Sequence, residues 1–423
     1  MTTSLFLKLF HFFKHDNVFL ILLMGLRGST LIIKFVLMLY IAKVMGVEAL
    51  GVFGLITAAS IVVPVVVGLS LMYAQTRKAV WQPLETTTNA LKHFSKFLIG
   101  IYSLIVMAAV LYGLYSGDVI FSLLVVGVVF FEHINATLYA LLLNLSKPFV
   151  ANVLHFLRAG FWPVMFILIC YIIPEYQNLN TLLLFWIFGG ILSLVAFFIV
   201  SYDWPWSVKD SDNGFLVWLS NEFKESRTMY YNGIANSSAQ YLNHFLVAII
   251  LGIEATGVYV FFMQVLSAMG NLIQSGVIQI FRPKLVNAAK AISADFNLLY
   301  KKCLKITLYF STFLSLIAIP MVYFLAVYFV KNPLIVENYL LFIGGIVFFI
   351  LNIMRNVNEL VFYSQHNDKA IFYQSIVAII AGFIISLPLI FLLGLWGAII
   401  GSIILTIIIL LIQCVSLRRD RKA

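Results

Sequence analysis

Apolar stretches long enough to cross a bilayer recur along the whole chain, near residues 20–44, 51–74, 97–116, 119–143, 150–173, 181–201, 230–252, 257–281, 304–330, 334–361, 370–393 and 396–416. About 20 helical residues cross the roughly 30 Å of hydrocarbon in a bilayer. With 62% hydrophobic residues, 10% charged residues and a mean hydropathy of +1.03, the 423-residue chain is a polytopic membrane protein rather than a soluble globule. The first run follows Lys8, His11, Lys14 and His15 without a small-residue cleavage site, so it reads as a retained helix.

The chain also repeats itself. Gly46-Val47-Glu48-Ala49-Leu50-Gly51-Val52-Phe53 returns 206 positions later as Gly252-Ile253-Glu254-Ala255-Thr256-Gly257-Val258-Tyr259, between apolar runs in both copies. Further on the offset becomes 222, pairing Lys147-Pro148-Phe149 with Lys369-Ala370-Ile371 and Gly160-Phe161 with Gly382-Phe383. Six spans per half bring both halves in from the same side, which predicts a parallel repeat about an axis along the membrane normal. The expected organisation is a six-helix bundle over 1–203, a cytoplasmic linker over 204–229 marked by Pro205 and the charged stretch Lys209 to Arg227, and a second six-helix bundle over 230–423.

The net charge of +10 does not point to nucleic acid, because of where the charges fall. With the N-terminus inside, the inner segments carry Lys8, Lys14, Arg77, Lys78, Lys92, Lys96, Lys147, Lys209, Lys224, Arg227, Arg282, Lys284, Lys290, Lys301, Lys302, Lys305, Lys369, Arg418, Arg419, Arg421 and Lys422, against Lys43 and Lys331 outside. That asymmetry is the positive-inside signature, and it predicts cytoplasmic termini and cytoplasmic long loops. Cys170, Cys303 and Cys414 lie far apart with no metal-ligand spacing, so no disulfide framework, metal or other cofactor is expected. No phosphate-binding Gly-x-x-x-x-Gly-Lys loop occurs, so ATP is not expected to act on this chain. The stretch Leu5 to Lys14 reads equally as an interfacial helix or as the start of the first span.

Four cations remain inside spans: Arg27, Lys34, Arg158 and Arg355. A charge at the bilayer centre costs about 2.5–3.5 kcal/mol even on mild insertion scales, so each needs a partner or a polar cavity. Arg27 and Lys34 share one face of the first helix; Arg27 lies close enough to the inner surface to snorkel, whereas Lys34 near mid-span favours a cavity. Asn152, His155 and Arg158 form a stripe in the fifth span, and Asn352, Arg355, Asn356 and Glu359 another in the tenth, where Arg355 and Glu359 can pair with each other. Glu132, with Asn135 and Tyr139 one and two turns on, is either a fixed bridge to Lys34 or Arg158 or a carboxylate whose protonation couples transport to H+ or Na+; Glu359 and His155 are further coupling candidates. The seventh and eighth spans offer neutral polar groups, Gln240, Asn243, His244, Asn271 and Gln274, with Gln240 at the repeat position of Lys34. Such groups line cavities or tie helices together.

Twelve spans in two halves, with Gly-x-Glu-x-x-Gly-x-aromatic opening the second span of each, resemble the Wzx-type O-antigen and polysaccharide flippases of the superfamily that includes MATE antiporters. The resemblance implies an all-α MATE-like fold of two six-helix bundles in the bacterial inner membrane. It also implies flipping of an undecaprenyl-pyrophosphate-linked oligosaccharide by alternating access for lipopolysaccharide biosynthesis, beside a polysaccharide polymerase and a chain-length regulator. Lipid II flippases typically carry two more spans, which turns the resemblance toward the O-antigen branch. The alternatives are a MATE-like small-molecule antiporter and a membrane glycan polymerase or ligase.

Overall fold

The computed structural model describes residues 16–206, 214–291, 295–365 and 367–420; the Leu5–Lys14 stretch, Lys209 and the last tail residues of the sequence reading lie outside them. The described residues form helices α1 (Asp16–Tyr40), α2 (Val47–Val67), α3 (Leu71–Lys78), α4 (Leu84–Ser116), α5 (Val119–Asn144), α6 (Pro148–Phe156), α7 (Trp162–Ile172), α8 (Leu179–Val200) and α9 (Phe215–Leu251) in the first part of the chain. There follow α10 (Ile253–Ile273), α11 (Gln279–Lys290), α12 (Phe296–Phe324), α13 (Pro333–Glu337), α14 (Leu340–Ser364), α15 (Asp368–Leu393) and α16 (Leu395–Asp420). No strand occurs among the described residues. Ten of the twelve expected spans coincide with one helix or with a helix running on through a π-helical turn, as at Leu157–Phe161 between α6 and α7 and at Gln274–Ile278 between α10 and α11, whereas the second and the tenth are each divided by a turn, into α2 and α3 and into α13 and α14.

Eleven of these helical runs are long and apolar enough to cross a membrane. The twelfth, α9, is 37 residues long, but Asn232, Asn236, Gln240, Asn243 and His244 dilute its hydropathy. The second span differs from expectation. Its helix starts directly after Gly46 and breaks at Gly68, because Leu69 and Ser70 adopt left-handed backbone (φ 50° and 51°); α3 then continues separately.

The chain divides into two compact units, 1–37 with 66–229 and 38–65 with 230–423. The segment Met38–Val65 therefore groups with the second half of the chain rather than with the rest of the first. In the first unit, Phe166, Phe197, Leu141, Leu142, Leu182 and Leu183 are almost fully buried. Gly189 and Gly190 on α8 admit Trp162 and Phe131 at distances a Cβ would not tolerate, 2.6 and 2.7 Å. This close approach sets α8 against α5, which carries Glu132, Asn135 and Tyr139, and against the start of α7, which follows the π-helical turn of Arg158.

The second unit explains the repeated octet. Gly46 and Gly252 end their helices with nearly identical backbone, φ 94°, ψ 170° and φ 90°, ψ 175°, a conformation open only to glycine. Five residues on, a Cβ at Gly51 would stand 2.2 Å from the Ile253 carbonyl oxygen, and one at Gly257 would stand 1.9 Å from that of Val47. Val47 and Ile253 are themselves repeat-related, so the contact is reciprocal, the signature of a two-fold relation. At the next turn Gly54 faces its own repeat partner Val260, with the missing side chain making room for the isopropyl group. Glu48 and Glu254 lie exposed in the first turns of α2 and α10, where a carboxylate complements the helix dipole.

Candidate functional site

The first unit gathers most of the intramembrane charge. Two turns separate Arg27 from Lys34 on α1, about 10.5 Å along the axis. The Arg27 guanidinium, half-buried, donates from Nε to Asn152 Oδ1 at 2.8 Å and from Nη2 to the Tyr139 hydroxyl at 3.0 Å. Asn152 is itself fixed by donating to the Pro148 carbonyl at 2.6 Å. Both partners of Arg27 are neutral, so its charge is held in place but not cancelled.

Arg158 is held otherwise. It sits in the π-helical turn Leu157–Phe161, a local widening of the kind that recurs at functional positions. Its Nε stands 3.5 Å from Glu132 Oε2, with the two side chains 13% and 15% exposed, and its Nη2 lies 3.3 Å from His155 Nδ1. The other Glu132 oxygen accepts from Trp186 Nε1 at 2.8 Å. Trp186 is in turn stacked on Trp162, ring centroids 5.5 Å apart and planes 14° from parallel. Of the two partners foreseen for Glu132, Arg158 makes the ion pair. Lys34 is within electrostatic reach of both Glu132 and Arg158 but makes no ion pair among the described residues, and its side chain is exposed.

His155 also meets the Tyr139 ring at 5.5 Å, closing a small recess lined by Asn135, Leu138, Tyr139, Leu154, His155, Arg158 and Ser193. Asn135 directs its amide protons to the Phe131 and Gly190 carbonyls at 2.8 and 3.1 Å, so it ties α5 to α8 as well as lining the recess. Arg158 and Lys34 thus share one carboxylate, Arg27 is held beside them by Tyr139 and Asn152, and the group carries a positive excess. Sequence reasoning did not single out Trp186: an indole in an apolar helix carries no sign that its N–H meets a carboxylate one helix away.

The remaining candidates lie in the second unit and do not form one cluster. Gln240 and Asn271 are exposed, and Gln274 opens the π-helical turn after α10. Asn243 donates to Ser402 Oγ at 2.8 Å and to the Ala398 carbonyl at 3.2 Å, tying α9 to α16. His244 packs between Tyr241 and Tyr259, ring centroids 5.3 and 5.2 Å away. Arg355 and Glu359 interact electrostatically along α14, yet no ion pair forms between them; Arg355 Nε is buried without a hydrogen-bond partner among the described residues. Beside them Gln413 donates to Gln374 Oε1 at 2.9 Å and to the Arg355 carbonyl at 3.4 Å.

Comparison with family models and with curated proteins finds no match. Among solved structures, an inward-facing multidrug resistance MATE family transporter of the MOP superfamily matches with a TM-score of 0.73 at 14% identity, over 93% of this chain and 96% of that one. The lipid II flippase MurJ in an inward closed conformation matches with a TM-score of 0.65 at 15% identity, over 94% of this chain and 87% of the other. A MOP superfamily transporter from Pyrococcus furiosus, described as having a binding pocket of reverse polarity that suggests a different function, matches with a TM-score of 0.57 at 12% identity, over 95% and 94%. The chain is a multi-pass membrane protein with the fold shared by MATE-family transporters and MurJ.

Proposed function

We propose that the protein is a flippase for an anionic lipid-linked oligosaccharide, an undecaprenyl-pyrophosphate carrier of the O-antigen type, moved from the cytoplasmic to the outer leaflet of the bacterial inner membrane. The observation that carries this reading is the positive excess of the first unit: Arg27 is pinned by two neutral partners, Lys34 makes no ion pair among the described residues, and Arg158 and Lys34 share the one carboxylate of Glu132. A diphosphate headgroup supplies the missing negative charge, and a guanidinium and an ammonium held on one helix face suit its two phosphates. The fold likeness to a lipid II flippase supports a lipid-linked substrate. The coupling ion in this reading is H+ or Na+, with Glu132, Glu359 and His155 as the groups that respond to it, and a polymerase and chain-length regulator act downstream. Antiport of a cationic drug, the reading suggested by the MATE-family likeness, sets the substrate against the same positive field.

The direct genetic test is export of surface polysaccharide in cells carrying Lys34→Ala or Arg27→Ala. Export is lost while the protein still inserts at wild-type level; normal export in both variants contradicts the assignment.

A further inference from the structure

Cations cluster at the ends of two long helices of the second unit in a way that transport of a headgroup does not use. In the first unit Lys78 of α3 pairs with Glu225 of α9, and Arg77 lies over the Tyr73 ring. In the second unit α11 and α12 carry Arg282, Lys284, Lys290, Lys301, Lys302 and Lys305, all exposed, with Asp295 the only acidic residue between the first and the last. None of the six makes an ion pair among the described residues.

Their depth is set by helix length. The helical run from Ile253 to Lys290 is 38 residues, about 57 Å, and that from Phe296 to Val330 is 35 residues, about 52 Å, against roughly 30 Å of hydrocarbon. The excess brings Arg282, Lys284, Lys301, Lys302 and Lys305 to the headgroup layer and just beyond it, and Lys290 further out. Aromatic side chains mark the same level. The Arg282 guanidinium lies 5.2 Å from the Tyr363 ring centroid and the Lys305 ammonium 5.7 Å from that of Tyr309, and the two tyrosines are 49% and 67% exposed. Tyrosine at the lipid–water boundary with a cation above it is an interfacial arrangement. Leu298, 66% exposed at the start of α12, adds an apolar contact for acyl chains.

We propose that the α11–α12 hairpin is a binding surface for anionic phospholipid headgroups of the surrounding leaflet. The six cations make no ion pair among the described residues and call for a negative partner, and phosphatidylglycerol-type headgroups lie at the depth of all but Lys290. The lipids on this face anchor the second unit.

The test uses the full chain reconstituted in phosphatidylcholine bilayers, with spin-labelled phosphatidylglycerol and spin-labelled phosphatidylcholine as probes. The wild type selects phosphatidylglycerol. Lys301→Gln, Lys302→Gln and Lys305→Gln, singly and together, lower that selection by up to about fivefold per charge, the equivalent of roughly 1 kcal/mol for each cation near an anionic surface. The corresponding Arg substitutions retain selection, and Lys78→Gln does not change it. Should the triple variant fail to insert, the wild type itself decides the matter, since its selection must fall as salt rises from about 0.05 to 0.5 M. Selection that survives salt or neutralisation overturns the proposal, as does an equal loss in Lys78→Gln. Failure of the wild type to select phosphatidylglycerol while it binds polyglutamate also overturns it and assigns the surface to an acidic protein.

Discussion

Arg27 and Arg158 are the same side chain in the same unit, yet their partners make them different reagents. Arg158 belongs to a closed set with Glu132, Trp186 and His155, so removing it strands a carboxylate. Arg158→Ala is expected to cost about 3–5 kcal/mol, the usual result of breaking one side of a buried pair, and adding Glu132→Gln recovers most of it. Trp186→Phe removes one hydrogen bond to a charged acceptor and costs about 1.5–3 kcal/mol. Arg27→Ala loses two hydrogen bonds to neutral partners but strands no charge, so it is expected to lower the unfolding temperature less than Arg158→Ala while transport is lost. Thermal unfolding of the four variants in detergent checks this ordering; an Arg158→Ala protein as stable as the wild type contradicts it. Much of the site was legible in the sequence, because charges in apolar runs are few and helical spacing puts Arg27 with Lys34 and His155 with Arg158 on shared faces. Arg158 was foreseen as one of two partners for Glu132, but Trp186 was not. Which helix lies beside Glu132 depends on packing between segments more than fifty residues apart, and Trp186 resembles any apolar aromatic until that packing is known.

At the level of elements, the repeated octet is a joint between two helices. Its first glycine supplies a backbone that other residues resist, and its second brings helix backbones into contact. Gly51→Ala and Gly257→Ala each drive a methyl group into a carbonyl oxygen that cannot step aside, and a loss of at least the usual 1–3 kcal/mol for overpacking is expected. Gly100→Ala on α4, with nothing within 4 Å of the added carbon, leaves stability unchanged or raised. Differential scanning measurements on the three proteins read the contrast directly. The contact between α3 and α9 responds to pH. Burial pushes the Glu222 carboxyl above its ordinary range, opposed by the hydrogen bond it accepts from Gln75 at 2.5 Å and by Lys78. A carboxyl raised in the folded state favours folding in acid and loses that contribution as pH rises through its folded value. A Glu222→Gln variant therefore unfolds with less dependence on pH between about 4 and 7 than the wild type. None of this contact was legible in the sequence, where Glu222 and Glu225 read as part of a charged linker rather than as the first turns of a 37-residue helix.

For the whole molecule, hydropathy and charge asymmetry carry most of the fold because lipid leaves the backbone so few choices. Of the twelve expected spans, eleven correspond to helical runs long and apolar enough to cross a membrane, and the one that falls short on hydropathy, in α9, is rich in amides. The grouping of Met38–Val65 with the second half was hidden, since it follows from the glycine contact between repeat copies and not from chain order. The repeat also shows where the halves diverge. One copy places Lys34 where the other places Gln240, and the unit with Lys34 holds the positive excess from which the transport reading follows. The most direct test is transport by the purified protein in proteoliposomes loaded with a fluorescent polyprenyl-diphosphate oligosaccharide. The account predicts ion-gradient-dependent movement of the diphosphate lipid between leaflets, lost in Arg27→Ala and Lys34→Ala. Failure to move it, together with exchange of an organic cation for H+ or Na+ by the same vesicles, contradicts the account.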